Sequence, residues 1–591
     1  MLPHGRGLGY AAARMKRNPP EPRSEQISAY VATYYSLLRS TGEVRVRAFE
    51  EAHAYSGSSL HLGALSDVPD LSAFAYAAGR LPDEMLEIEL LILGQSHELF
   101  EAAGFDVGSW KTVKTRGRRR PLRYDGGAQL GVFISSASDI DDLVPIVTAY
   151  QIEWNKMHDR LRRAVGSIDG LADATRDPVA LASSLGVSVD EGQKVVDAFG
   201  ARRLERSMRA LYERRLDLKV RMLNASHSQY QRAAQRWWGG VEPAYMQKDG
   251  LRRPPVYFVS SNTHAIANLV GGFAQSHAEE IVAWARREDP EGLGSEVDRL
   301  ANSGNKADLA PILYYLLRPY IHAAHNSVKM NEVRDFEEAH GLAHMAEPGH
   351  IDVDAQVAKL SELDLDLIDP RLKIPGIERL KQSDAVIINI DYPLGMAAYH
   401  LLSRLGQGVG EVRGVYIMGK AATLNGRVGD VMLSGNVHDE HSRNTFLYRN
   451  AFSAKDVSPW LRHGSVFDNQ KAVTVRSAFL QNREYMDAFY TNGYTVLEME
   501  AGPFLAAAYE LVNPSRVPQD EIVHLSAHTP YDIGILHYAS DTPYSRRQSL
   551  LSKSLSFFGV DATYACAVTI VRRIFELECA RLDGKIIPPE L

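Results

Sequence analysis

Five short segments gather side chains suited to chemistry on a small polar ligand. Leu497-Glu498-Met499-Glu500-Ala501 and Ser540-Asp541-Thr542 supply carboxyl groups, which bind sugar hydroxyls or move protons. Gly419-Lys420-Ala421-Ala422 and Asp391-Tyr392-Pro393-Leu394-Gly395 supply an ammonium, a carboxyl and small residues that let backbone approach a ligand closely. Ser260-Ser261-Asn262-Thr263-His264 adds hydroxyl, amide and imidazole groups that face either a substrate or a phosphate.

Each segment follows a short apolar run that reads as a strand: 255–260, 385–390, 414–418, 494–497 and 536–539. Further strands are read at 428–433 and 473–476. Helical patterns at 394–405, 501–511 and 561–582 lie between or after them. Continuous apolar strands between helices mean a sheet covered on both faces, hence α/β. In open α/β sheets the ligand sits at the carboxyl ends of the strands, where these polar segments fall. Ahead of this part the pattern is mainly helical, with amphipathic runs at 27–38, 81–103, 144–165 and 201–238. The expected organisation is a flexible tail over 1–25, a helical domain over 26–250, a strand-helix segment with a helical insertion or linker over 251–380, and a catalytic domain over 381–591.

The order of the strand-end motifs resembles the nucleoside phosphorylase/nucleosidase superfamily, which contains purine nucleoside phosphorylases, methylthioadenosine nucleosidases and AMP nucleosidase. The resemblance covers roughly residues 384–580. Gly419 to Asp430 is similar to the family's glycine turn, short loop and Val/Ile-Gly-Asp strand; residues 497–501 resemble its Val-Glu-Met-Glu-Ala motif; Ser540-Asp541 resembles its late Ser-Asp pair. The resemblance implies a phosphorylase-like mixed sheet flanked by helices and cleavage of the N-glycosidic bond of a purine nucleoside or nucleotide. It implies that Glu500 binds the ribose hydroxyls, Met499 packs on the sugar with Glu498 beside it, and Asp541 protonates the leaving base. Phe479 is the candidate that stacks on the base. It also implies no metal, no cofactor and a homo-oligomer, with neighbouring subunits often completing the site.

Two departures bear on the reaction. Ile417-Met418 stand before Gly419 where phosphorylases commonly place an arginine, and Lys420 occupies a hydroxyl position. No guanidinium fork faces phosphate from that strand, which favours hydrolysis over phosphorolysis, although Lys420 remains able to bind inorganic phosphate or a nucleotide's own. The first turn keeps only Gly395 of its usual glycines. Asp391 pairs with Lys420, orients water or caps the next helix. The family's first strand is missing directly before Ala385; residues 255–260 supply it, or else form an independent strand followed by a helix cap.

Composition bounds the alternatives. The chain has 591 residues, 45% hydrophobic and 24% charged, which excludes wholesale disorder. Lys+Arg 66 against Asp+Glu 73 gives −7, so a generally basic nucleic-acid binder is not expected. The basic run Lys111, Lys114, Arg116, Arg118, Arg119, Arg120, Arg123 reads as a surface loop, with phosphate or nucleic-acid binding as the other reading. Two cysteines, Cys566 and Cys579, exclude a disulfide framework and fit a cytoplasmic protein, and no apolar run is long enough to cross a membrane. His322, His325, His340 and His344 read as satisfied or solvent-facing, and residues 438–441 as a polar loop. A non-catalytic nucleoside sensor is the main reading outside enzymes.

Overall fold

The computed structural model describes residues 25–40, 42–117, 120–224, 226–246, 252–323, 327–525, 529–543 and 557–584. The expected tail, apart from Glu25, and Arg118, Arg119 and His325 lie outside them.

The N-terminal part is mainly helical, as expected, but it also holds a sheet. Its six strands run in the order Val44–Arg45, Lys219–Met222, Leu90–Gly94, Gln129–Phe133, Leu122–Tyr124, Lys111–Val113. Leu90–Gly94 is parallel to both of its neighbours. Two runs expected as single helices are broken by these strands. Residues 81–103 divide into the 3-10 turn Asp83–Leu86, the strand Leu90–Gly94 and the helix His97–Ala102. Residues 201–238 divide into Leu204–Glu213, Lys219–Met222 and His227–Tyr245. The reason is general: a four- or five-residue apolar run such as 90–93 satisfies a buried strand as well as a helix, so periodicity alone does not separate them. The first amphipathic run forms Glu25–Ser40 as expected.

The basic run is likewise not a free surface loop. Arg120 is buried and pairs with Asp139 (2.9 Å) and Asp142 (3.0 Å). Arg116 donates to the carbonyls of Asp197 and Ala198 near a helix C-terminus, and Lys111 pairs with Glu84.

The second sheet holds eleven strands. Pro255–Ser260 sits between Val386–Ile390 and Glu411–Thr423, parallel to both. Residues 263–380 leave the sheet, form helices that include Lys306–Ala323 and Ser327–Ala339, and return through the antiparallel edge strands Leu342–Met345 and Ala355–Lys359. On the other side the strands close a ring. Glu411–Thr423 pairs with Asp532–Asp541, which pairs with Val431–Asp439, then Val466–Thr474, then Tyr494–Glu498, which returns to Glu411–Thr423. Closure removes free edges and draws the strand ends together.

One long helix, Ala137–Ala164, joins the two parts. It begins with a capping box of Ser136 and Asp139 and is buried over most of its first two thirds. Leu143, Val147 and Trp154 share one apolar core with Val475, Phe479, Phe489 and Leu497, so the N-terminal part packs directly on the barrel. Near its start, Asp141 accepts both Nε (2.9 Å) and Nη2 (2.7 Å) of Arg476 and the hydroxyl of Tyr34 (2.5 Å). Asp141 is almost wholly desolvated.

Removing one partner of such a pair strands the other charge. Arg476→Leu is therefore expected to lower unfolding stability by about 3 kcal/mol, read as a shifted urea midpoint. Arg299→Leu, at an exposed ion pair, is expected to leave the midpoint nearly unmoved, because solvent screens such a pair. Equal effects would contradict the clamp.

Candidate active site

The barrel places the carboxylates of the sequence motifs around one backbone position. Ala422 is in register with Leu497 on one side and Asp541 on the other. A bulge between Ala421 and Ala422 makes this possible: Ala421 pairs with Ala539, Ala422 with Asp541, and Ser540 is the extra residue. A bulge re-aims the side chain beside it. Here it turns Asp541 into a cavity of about 1430 Å³.

The cavity is lined by Asn262, His264, Asp391, Gly419, Lys420, Glu498, Met499, Glu500 and Asp541 together. Burial pushes the Asp541 carboxyl above its ordinary range, opposed by the Ser540 hydroxyl, Arg80 and Lys420. Ser540 donates to Oδ2 at 2.8 Å, whereas Oδ1 is buried with no hydrogen-bond partner. A proton on Asp541 therefore belongs on Oδ1, where it is free to be donated. Lys420 faces the same space, and desolvation pulls its ammonium below the usual lysine value.

Glu500 stands at the N-cap of the helix Ala501–Val512. Its position is set by Glu498, whose Oε2 accepts the backbone N–H of Glu500 and Ala501, each at 2.7 Å. Thr474 donates to the other oxygen and accepts the N–H of Gly502 at 2.7 Å. Glu498 thus ties down the helix start, and burial raises its carboxyl to about 7.

Asn262 caps the helix Thr263–Val270 through Ala265 N (2.6 Å) while lining the cavity. Asp391 does not cap the following helix; its Oδ1 accepts Tyr392 N at 2.9 Å. The cap comes from the N-terminal part instead, where Ser138 Oγ accepts Met396 N at 2.9 Å. The same Oγ lies 3.1 Å from His441 Nε2, and His441 Nδ1 lies 2.9 Å from Asp439. These are the residue types of a nucleophile relay, yet Ser138 is fully buried and outside the cavity lining. The trio is a strut that holds the 391–396 turn.

Three sequence candidates lie off the cavity. Gly395, at φ +52, packs against Ser138, where an added Cβ would meet Oγ at 2.2 Å. Ser261 donates to Asn389 Oδ1 at 2.7 Å, inside the sheet. Phe479 is buried between His53 and Tyr76, with ring centroids 5.9 and 5.3 Å away, so it serves the shared core and not a ligand base. Of the histidines weighed as ligands, His340 lies 2.6 Å from the Phe336 carbonyl and His344 2.6 Å from Glu337.

Tyr76, Arg80, Gln95, Arg116 and Arg120 roof the cavity from the N-terminal part; Arg116 and Arg120 belong to the basic run weighed for phosphate binding, whereas Tyr76, Arg80 and Gln95 carry no such signal. Arg80 is held over the Tyr76 ring, 3.4 Å from the centroid, and donates to Tyr76 O at 3.0 Å. Nothing in the pattern around Arg80 distinguishes it from other surface arginines. Tyr392 and Tyr538, with hydroxyls 3.2 Å apart, complete the inner wall.

A family model matches residues 46–576, and the chain belongs to that family, described as a family of unknown function, DUF6909. No curated protein matches the chain. Among solved structures, a 5′-methylthioadenosine nucleosidase from Arabidopsis thaliana is 10% identical, with 55% of this chain and 96% of that one covered at a TM-score of 0.29. A 5′-methylthioadenosine/S-adenosylhomocysteine nucleosidase from S. pneumoniae is 10% identical, with 54% and 99% covered and a TM-score of 0.27. A uridine phosphorylase from Schistosoma mansoni is 13% identical, with 34% and 72% covered and a TM-score of 0.24.

A carboxyl raised by burial favours the fold most at low pH and loses that contribution as pH rises. For Glu498 the window runs from the ordinary carboxyl value of 4.5 to about 7. Across it, stability of the chain relative to Glu498→Gln is expected to fall by roughly 3 kcal/mol. Unfolding at pH 4.5 and pH 8 measures this; a constant difference would contradict a desolvated carboxyl at this position.

Proposed function

We propose that this chain hydrolyses the N-glycosidic bond of a purine nucleoside or nucleotide. The observation that carries this reading is the bulged strand end that turns Asp541, with a desolvated and unpartnered Oδ1, into the same cavity as Glu500. Breaking the bond builds positive charge on the sugar and negative charge on the departing base. Glu500, as a carboxylate at the ribose hydroxyls, favours the first; Asp541, as an acid at the base, neutralises the second. The electron pair of the C1′–N9 bond leaves with the base, whose N7 side takes the proton from Asp541 Oδ1. Water adds to C1′ and gives up a proton, which returns Asp541 to its acid form over the cycle.

Water is preferred to phosphate as the acceptor because Ile417 and Met418 stand where a phosphate-binding arginine is expected in the resembled family. The N-terminal part roofs the site within one chain, a place that the resemblance assigns to a neighbouring subunit of a homo-oligomer. Two free buried thiols, Cys566 and Cys579, suit a reducing cytoplasm. No described helix is long and apolar enough to cross a membrane.

Chromatography of purine nucleosides and nucleotides incubated with the protein, with and without phosphate, tests the reading. Free base is expected without phosphate, and Asp541→Asn and Glu500→Gln are each expected to slow its release by about 10²–10⁴-fold. No base from any compound, or full activity in both variants, would overturn it.

The roof makes a second prediction. Asp541 acts protonated, so kcat/KM falls as pH rises through its pKa. Arg80 holds that pKa down. Arg80→Gln is therefore expected to move the alkaline limb to higher pH, and an unmoved or lowered limb would contradict the pairing.

A further inference from the structure

The cavity is too large for the proposed nucleoside alone. Small-ligand pockets typically run to roughly 300–1,000 Å³, and this one is about 1430 Å³. Asp541, Glu500 and Lys420 account for one end. The remainder extends past Asn262 and His264 into a lobe walled by the segment that leaves the sheet between Pro255–Ser260 and Val386–Ile390. Tyr314, Arg318 and His322 of Lys306–Ala323 line it, together with Met330, Arg334 and Glu337 of Ser327–Ala339.

The charges of this lobe are unevenly satisfied. Glu337 is buried and paired with His344 at 2.6 Å; His344 Nδ1 lies 3.1 Å from Gln356 Nε2. Gln356 Oε1 accepts from Asn389 at 2.9 Å, while His344 Nε2 stands beside the Glu337 carboxyl without a hydrogen bond of its own among the described residues. Arg318 and Arg334 differ. Both are exposed and line the cavity, and neither has an ion pair or hydrogen bond among the described residues. His322 stands one helical turn from Arg318 and likewise has no partner among the described residues. Two guanidiniums and an imidazole on consecutive helices thus line the same cavity as the reactive end and carry charge suited to an anion. Guanidinium matches phosphoryl oxygens in geometry as well as charge.

We infer that the substrate carries a phosphoryl chain and that Arg318, Arg334 and His322 hold it in this distal lobe. The inference rests on the nucleosidase reading for the other end of the molecule. Specificity then comes from the inserted helices, while the strand ends carry the chemistry. A nucleoside without phosphate would fill the reactive end only.

Calorimetric titration of the full-length Asp541→Asn chain, in which turnover is slowed, with adenosine, adenosine 5′-triphosphate and inorganic tripolyphosphate tests this. Adenosine 5′-triphosphate is expected to bind more tightly than either of the others, with an affinity that falls as salt is raised. Arg318→Gln and Arg334→Gln are each expected to weaken it by about tenfold, and Arg299→Gln, outside the cavity, to leave it unchanged. Equal binding of adenosine and its triphosphate would overturn the inference. So would equal binding of tripolyphosphate and the nucleotide, or affinity untouched in the double variant. Melting temperatures of the variants close to that of the parent chain exclude a folding defect. Tight, arginine-dependent nucleotide binding without base release would leave this subsite standing and remove the nucleosidase reading; base release with arginine-independent binding would do the reverse.

Discussion

The site depends on one constraint, the double register of Ala422. The strand Glu411–Thr423 pairs at its end with Tyr494–Glu498 and with Asp532–Asp541, and the bulge at Ser540 lets both partners arrive at the same position. Without the bulge the side-chain alternation of Asp532–Asp541 would run on unchanged, and the residue after it would point to the other face. Ring closure then fixes the register of the strands that lead to Glu500 and Asp541, because each strand of the ring is paired on both sides.

Everything around that register works to hold it. Glu498 and Thr474 together bind three backbone N–H groups at residues 500–502. These are orphan donors of a helix start, so one buried carboxyl both satisfies the helix and places Glu500. The turn at 391–396 is fixed from outside the sheet, by Ser138 of the long helix and the strut of His441 and Asp439 behind it. The long helix is in turn locked by Asp141 and Arg476. The N-terminal part is therefore an integral wall of the site, sharing one apolar core with the barrel.

The α/β core was legible because its strands are short apolar runs ending in polar motifs, and the motif order carries spatial information. Asp541, Glu500, Met499 and Lys420 all fall on the cavity for this reason. Phe479 was misplaced because an aromatic residue near a strand end looks the same whether it meets a ligand or a core. The N-terminal sheet was hidden because Leu90-Leu91-Ile92-Leu93 satisfies strand and helix patterns alike. The contacts of Ser138 with Met396 and of Asp141 with Arg476 span hundreds of residues, and no local spacing announces them.

In the proposed reaction, Glu500 and Asp541 act on one ligand from two sides. A crystal structure of the chain with a carbon-linked purine nucleoside, whose base cannot leave, addresses it most directly. Ribose hydroxyls are expected on the Glu500 carboxylate and the imidazole edge of the base at Asp541 Oδ1, in a single molecule. A ligand bound with either carboxyl out of reach, or bound elsewhere, would contradict it.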